Sequence, residues 1–533
     1  MPRNLPKDEF FQDNLIYTGT ERGLGAENLT LRLMTTVFNH MHMNGQERVR
    51  NREDYQWHLR TLLLNFYVAM RIRPEMGVGI PKDKKWYSGK PNLSYRRMWN
   101  IMDALMERGY VKQIRKGVHN RDFRKKGVHK SKKSSAQKKK YIKPRVGAYR
   151  ARGSLMELFL EFNLNLYHVK TSLTDYNSVR AKDIKLSQSP KLKKYKKNLK
   201  RINEFYDQTQ IDLYITNDEE TTIRRQISHW HDRFEGIWKG DEAYKELNLR
   251  RKVVHRVFND KELETHGRFY GGFWLDIPKE WRQRIVIDGG ITAEIDFSYN
   301  HANILYNLAG TTMSHDDFLP DYDAYNLSNL NPQWKDNNYR DDVKLIFQYL
   351  LNNKDIEGVV KSIQIRRGIH PKCPEGYKTW KDFVIHIMDV HSPIKDYFFK
   401  GNMKLMNIDS QIMEQVILKC IDNNICALSI HDSLCVPYGK APQVRAWMWE
   451  AMKEFTGHRG APIKNPYANE PSFLEINPKL CSNYFDRLKE WIAYKVPEEV
   501  THWNLVSNLS PDERDEIGID YDSPYLIRPP IIK

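Results

Sequence analysis

The distribution of apolar and polar positions changes character near residue 256. Upstream, the pattern is mostly helical. Residues 54–72 form one strongly apolar helical stretch. In the segment Leu93–Tyr110, Met98, Ile101, Met102 and Leu105 fall at i, i+3, i+4 and i+7, which predicts one buried stripe. Ser94 precedes that stripe as an N-cap and Gly109 follows it as a stop. A β-like run, Tyr110–Ile114, comes next. Residues 151–255 again carry mainly helical patterns.

Downstream of residue 256, glycines, aromatics and short strand patterns are dense. Arg284–Ile287 and Ile291–Phe297 are β-like runs separated by Asp288, Gly289 and Gly290, a strong hairpin signal. Asp296 therefore lies on the second strand of a hairpin. Helical patterns follow at His301–Leu308, Tyr339–Asn352 and Asp409–Ile421. Then Ile425–Ile430 and Leu434–Val436 flank His431, Asp432 and Ser433, which places Asp432 at the tip of a second hairpin. The expected class is α+β. A chain of 533 residues predicts two to four domains, and 40% hydrophobic content is enough to bury a core.

Composition narrows the partners. No apolar run reaches ~18 residues, so no membrane span is expected. The first residues lack the apolar core of a signal peptide. Five cysteines without CxxC pairing argue against a disulfide framework or a zinc site, and fit a reducing, intracellular and cytoplasmic setting, a host cytoplasm included. The formal net charge of +18 predicts a polyanionic partner. Between Val111 and Arg150, sixteen Lys or Arg face the single acid Asp122. This segment, with Lys125, Lys126, Lys139 and Lys140, is either a solvated loop or a phosphate-binding arm with strongly salt-dependent binding. A second cluster, Lys191–Arg201, has seven Lys or Arg in eleven residues, with Tyr195 among them. It is either a backbone-tracking surface with a tyrosine free to stack or the polar face of a helix.

Asp296 and Asp432 are the candidate chemistry. Two carboxylates delivered by separate strands to one sheet edge suit a two-metal phosphoryl-transfer site, with Mg²⁺ ions (or Mn²⁺) ~4 Å apart. On so basic a chain, that combination predicts chemistry on nucleic acid.

The order of these motifs resembles the single-subunit polymerase superfamily, which holds the family A DNA polymerases and the bacteriophage-type RNA polymerases. The resemblance covers about residues 256–440. Asp296, Phe297 and Ser298, followed by a helix, resemble the first polymerase motif; the arginine expected seven positions after the aspartate is replaced by Asn303. Arg340 and Lys344 resemble the fingers-helix motif, and their i, i+4 spacing puts both cations on one face. The aromatic residue of that motif is replaced by Asn352. His431 and Asp432 resemble the third motif, and Gly267 with Arg268 resembles a Gly-Arg element that contacts the nucleic-acid backbone. Asp409 and Ser410 resemble a palm helix that precedes the third motif. The resemblance implies a right-hand fold in which Asp296 and Asp432 bind both metals. It implies further that Arg340, Lys344 and Ser298 bind the nucleotide, His431 contacts the primer end, and His301 screens the sugar. The partners it implies are a DNA template, a primer or product strand, and nucleoside triphosphates.

The helix, glycine stop, strand and basic segment upstream resemble a winged helix-turn-helix, in which Arg96 and Arg97 would lie near the start of the groove-entering helix. An ordinary packed helix followed by a hairpin has the same pattern. The expected organisation is a winged-helix-like region at 1–150, a helical thumb-like region at 151–255, palm and fingers at 256–445, and an extension without assigned role at 446–533. The sugar of the product stays open. His301 would crowd a ribose 2′-OH and favours DNA synthesis, whereas Ser433 after His431 and Asp432 resembles the RNA polymerase branch. A replication polymerase or primase of a mobile element or virus, a single-subunit RNA polymerase, a non-enzymatic DNA-binding initiator and a nuclease using the same acids are the functional alternatives.

Overall fold

The computed structural model describes residues 9–10, 15–17, 25–43, 52–72, 76–88, 93–116, 146–162, 164–171, 176–181, 186–234, 247–311, 323–326, 339–365, 373–374, 376–401, 403–458, 460–461, 463–464 and 476–495. The described chain is mixed α and β, and its sheets are dominated by antiparallel pairs.

The N-terminal part orders its elements as α1 (Gly25–Met43), α2 (Arg52–Ile72), β1 (Gly77–Ile80), α3 (Lys84–Ser88), α4 (Tyr95–Glu107), β2 (Val111–Arg115), β3 (Gly147–Ala151) and α5 (Gly153–Glu161). β3 lies between β1 and β2 and is antiparallel to both. The expected stripe of α4 is the buried one: Met98, Ile101, Met102 and Leu105 are all inaccessible. Ser94 Oγ accepts from the Arg97 amide at 3.5 Å, and Gly109 closes the helix at φ +74°. These side chains belong to one apolar cluster that runs from Ala26 to Val169.

A second, larger cluster runs from Val179 to Ile463. Its elements are α6 (Pro190–Gln208), β4 (Ile211–Leu213), α7 (Asn217–Phe234), β5 (His255–Phe258), β6 (His266–Tyr270), β7 (Ile285–Ile287), β8 (Gly290–Phe297), α8 (Asn300–Leu308), α9 (Arg340–Asn352), α10 (Met403–Asp422), β9 (Leu428–Ile430), β10 (Ser433–Pro437), α11 (Ala441–Thr456) and β11 (Ile463–Lys464). The main sheet runs β9-β10-β8-β7-β4, with β11 on the free part of β8. Residues 151–255 thus add β4 to the sheet that carries Asp296, which the helical patterning there did not predict. On α6, Leu192, Tyr195, Leu199, Ile202 and Tyr206 form the buried stripe. Tyr195 stacks on Phe258 at 5.3 Å between centroids, so it is not free to stack on a base. Among residues 446–533, α12 (Ser482–Lys495) packs Tyr484, Leu488 and Trp491 against Tyr167, Tyr214 and Val286. No helix among the described residues is long and apolar enough to cross a membrane.

Candidate active site

Two hairpins share one sheet edge. β8 pairs with β10 in antiparallel register, and Asp296 lies opposite Ser433, the residue after Asp432. Directly opposed residues sit about 4.5–5.5 Å apart at Cα. Asp296 and Asp432 thus arrive at the same end of neighbouring strands, as the sequence pattern predicts. Both are half-buried. Burial is the main force raising the Asp296 carboxyl to about 7, and the negative charges of Asp432 and Glu294 raise it further; Lys344 and Lys279 act in the opposite direction. Lys344, on α9, therefore lies within the field of Asp296.

Glu294 was not anticipated. It precedes Asp296 by two residues, so strand alternation puts it on the same face. It is buried, and its Oε1 accepts from the Ser433 hydroxyl at 2.8 Å. Its Oε2 is buried without a hydrogen-bond partner. This edge of the sheet concentrates negative charge, and burial makes that charge unfavourable unless a cation approaches.

After β8, Tyr299 takes a left-handed conformation (φ +37°) and the chain enters α8. Ser298 is buried in this turn, and its carbonyl accepts from Asn303 Nδ2 at 2.6 Å. Asn303 thus braces the strand-to-helix turn, at the position where the resembled motif has arginine. His301 points to α10: its Nε2 lies 3.4 Å from Asp409 Oδ2, and the residue is 8% exposed. Asp409, fully buried, also holds Arg268 on β6 through Nε (3.3 Å) and Nη2. Burial opposes the Arg268 charge, but Asp409 and, after it, Asp432 raise its pKa above the ordinary value. Arg268 is thereby held on α10 and within the field of the second candidate aspartate. Gly267 precedes Arg268 on β6. It is buried at φ +91°, and a Cβ there would come within 2.6 Å of Phe258 and 3.0 Å of Asn407. Its carbonyl accepts from Arg256 Nε at 2.7 Å, so the glycine serves the packing of β6 on β5 and α10.

His431 occupies a two-residue turn at φ +62°. Burial depresses its pKa, with Arg268 and Arg282 acting in the same direction against Asp432 and Asp409. Its Nδ1 is buried without a hydrogen-bond partner, and its ring lies 6.2 Å from that of Tyr270. On α9, Lys344 is exposed, whereas Arg340 is held by Asp323 at 2.6 Å. In the N-terminal part, Arg96 is exposed on α4 and Arg97 pairs with Asp54 at 2.7 Å. Lys125, Lys126, Lys139 and Lys140 lie outside the described residues.

Among the described residues, no three His, Cys, Asp or Glu side chains group closely enough to form a metal site by themselves. The donors that do converge are carboxylate oxygens. Mg²⁺ is commonly held by one or two carboxylates plus water and substrate phosphates, so this donor set fits it. Comparisons with known proteins add no relative: no protein-family model matches the chain, and no curated protein matches it.

Proposed function

We propose that this chain is a template-dependent nucleotidyl polymerase. The observation that carries the proposal is the register of β8 and β10, which brings Asp296 and Asp432 to one end of the sheet, with Lys344 of a separate helix inside the field of Asp296. Carboxylates alone would suit a nuclease equally; the Lys344 charge acting on Asp296 suits a triphosphate. In this assignment Asp296 and Asp432 hold two divalent ions. When bound, these ions would supply charge stabilisation to in-line attack of a 3′-OH on the α-phosphate. Lys344 and Arg340 bind the β- and γ-phosphates, Arg268 orients the strand end beside His431, and the sheet with its covering helices α10 and α11 is the palm of a right-hand fold.

The N-terminal part fits a winged-helix unit. Its order of helix, strand, two helices and two strands, with β3 central, supports this, and so does Arg96 exposed in the first turn of α4. The basic residues that the sequence carries between β2 and β3 would then bind phosphates.

His301 Nε2 lies 3.4 Å from Asp409 without a hydrogen bond to it, so its ring is turned toward α10, and primer extension decides between DNA and RNA product. Primer extension on a defined template, with dNTPs and NTPs in parallel lanes under Mg²⁺ and Mn²⁺, should show template-directed addition with one set. No addition in any lane would refute the proposal.

A further inference from the structure

Arg340 already has two anions, the partly buried Asp323 and, 3.4 Å from its Nη1, the exposed Asp341. Its Nε and Nη2 both lie 2.6 Å from Asp323 Oδ2. The two side chains are 29% and 15% exposed, so water screens the pair only in part. The other oxygen of Asp323 accepts the Tyr325 amide at 2.9 Å, and its carbonyl accepts the Asn326 amide at 2.9 Å, which closes residues 323–326 into a tight turn. Tyr325 anchors that turn. It is 2% exposed, with its ring 6.4 Å from Tyr299 and 5.6 Å from Phe347. Tyr299 follows the strand of Asp296, and Phe347 is on α9. The turn is therefore fastened both to the end of the Asp296 strand and to α9. Tyr325 also senses the charges of Asp323, Asp432 and Arg340, which places the turn electrically between the catalytic edge and the fingers helix.

We propose that Asp323 is an internal competitor for the triphosphate, occupying Arg340 until an incoming nucleoside triphosphate displaces it. The inference rests on the assignment of α9 as the phosphate-binding helix. Carboxylate and phosphate oxygens use the same fork of guanidinium donors, so the two anions cannot both be served fully. Lys344, one turn along, is exposed and makes no ion pair among the described residues. A triphosphate meets Lys344 first and then exchanges with Asp323 at Arg340. Apparent affinity is lowered by the fraction of molecules in which Arg340 is still occupied. A ligand with one phosphate gains too little from the exchange, so the pair discriminates by phosphate number.

Asp323→Asn is the discriminating variant. It keeps the oxygen that accepts the Tyr325 amide and turns an NH₂ group toward Arg340. Binding of Mg-dATP, Mg-ATP and the two monophosphates, measured by calorimetry without template, should tighten about tenfold for the triphosphates and at most about twofold for the monophosphates. Adding Arg340→Ala to Asp323→Asn should erase the gain. Asp323→Ser, whose hydroxyl also accepts the Tyr325 amide, should tighten binding similarly and serves if the Asn variant melts early. Unchanged or weaker triphosphate binding in folded variants, with the parent protein binding, would overturn the competitor role alone. Failure of every form to bind a triphosphate would overturn the assignment of α9 as well.

Discussion

The β7–β8 and β9–β10 hairpins have turns of equal length and opposite logic. Both close in two residues, Asp288 and Gly289 in one, His431 and Asp432 in the other. In the first, both residues have positive φ, +49° and +72°, which is the mirror-image turn that Asp-Gly suits best. The turn is also tied down: Gln210 accepts the Asp288 and Gly289 amides at 2.8 and 3.0 Å and donates its own amide to Asp288 Oδ1 at 3.0 Å. In the second, the position that favours glycine holds His431 at φ +62°, with a buried nitrogen unpartnered, while Asp432 is outside the positive-φ region. The backbone choices in the first hairpin agree with the fold, although burial raises the Asp288 carboxyl to about 7 and leaves Gln210 Nε2 without a hydrogen-bond partner. The second keeps backbone strain and an unsatisfied polar atom beside a charged residue, which is how strain at a functional site commonly presents.

The largest expected effect separates the two turns by activity. Asp432→Asn should reduce primer extension by at least about a hundredfold, since under the proposed assignment it removes one of the two carboxylates that would hold the metal ions. DNA binding should persist, and melting should change little. Asp288→Asn, at the matched turn of the other hairpin, should leave extension within about twofold. Equal losses in both variants would mean that turn integrity, rather than the Asp432 carboxylate, limits activity.

The next effect is on stability and depends on pH. The Asp296 carboxyl rises to about 7 in the folded protein, chiefly through burial and then through Asp432 and Glu294. Its unfolded value is near 3.9. The protonated group is the form the fold accepts, so the contribution is fully present below pH ~4 and is lost as pH rises through 7. Asp296→Asn does not suffer that loss. Urea unfolding should show parent and variant alike near pH 4, with the variant more stable by about 2 kcal/mol at pH 8, discounted from the full shift for solvent and Lys344. Millimolar Mg²⁺ should narrow the gap by stabilising the parent form. A gap independent of pH would remove the electrostatic account of this edge.

The difference between the hairpins also explains what was visible in the chain beforehand. Asp288 and Gly289 announce their turn because the signal is local backbone chemistry. The α4 stripe and its Ser94 and Gly109 boundaries are local in the same sense. On α6, the spacing of Leu192, Tyr195, Leu199, Ile202 and Tyr206 already marks Tyr195 as a core residue; the surrounding lysines obscured it. Glu294 was within reach of strand periodicity, two residues before Asp296. The partners of the candidate site were not legible. Asp409 meets Arg268 across 141 residues and also meets His301, and Asp323 meets Arg340 from beyond the end of α9; neither approach leaves a mark in the periodicity of the pattern.

The smallest effects test the comparison most directly, because the same backbone argument predicts opposite signs. Gly289→Ala puts a Cβ where φ is +72° and should cost about 1 kcal/mol, with extension unchanged. His431→Gly relieves a left-handed side chain worth about 1–2 kcal/mol and removes the buried Nδ1, against an entropic cost of about 0.5–1 kcal/mol for glycine. The net expectation is a gain of about 0.5–1 kcal/mol in stability, accompanied by loss of extension because the imidazole beside Asp432 is gone. Chemical denaturation of both variants, together with primer extension, reads the two signs. If His431→Gly destabilises the protein, the imidazole is part of the packing and the strain does not belong to the site. If it stabilises the protein and leaves extension intact, His431 has no part at the primer end, and the second hairpin is reduced to the carboxylate of Asp432.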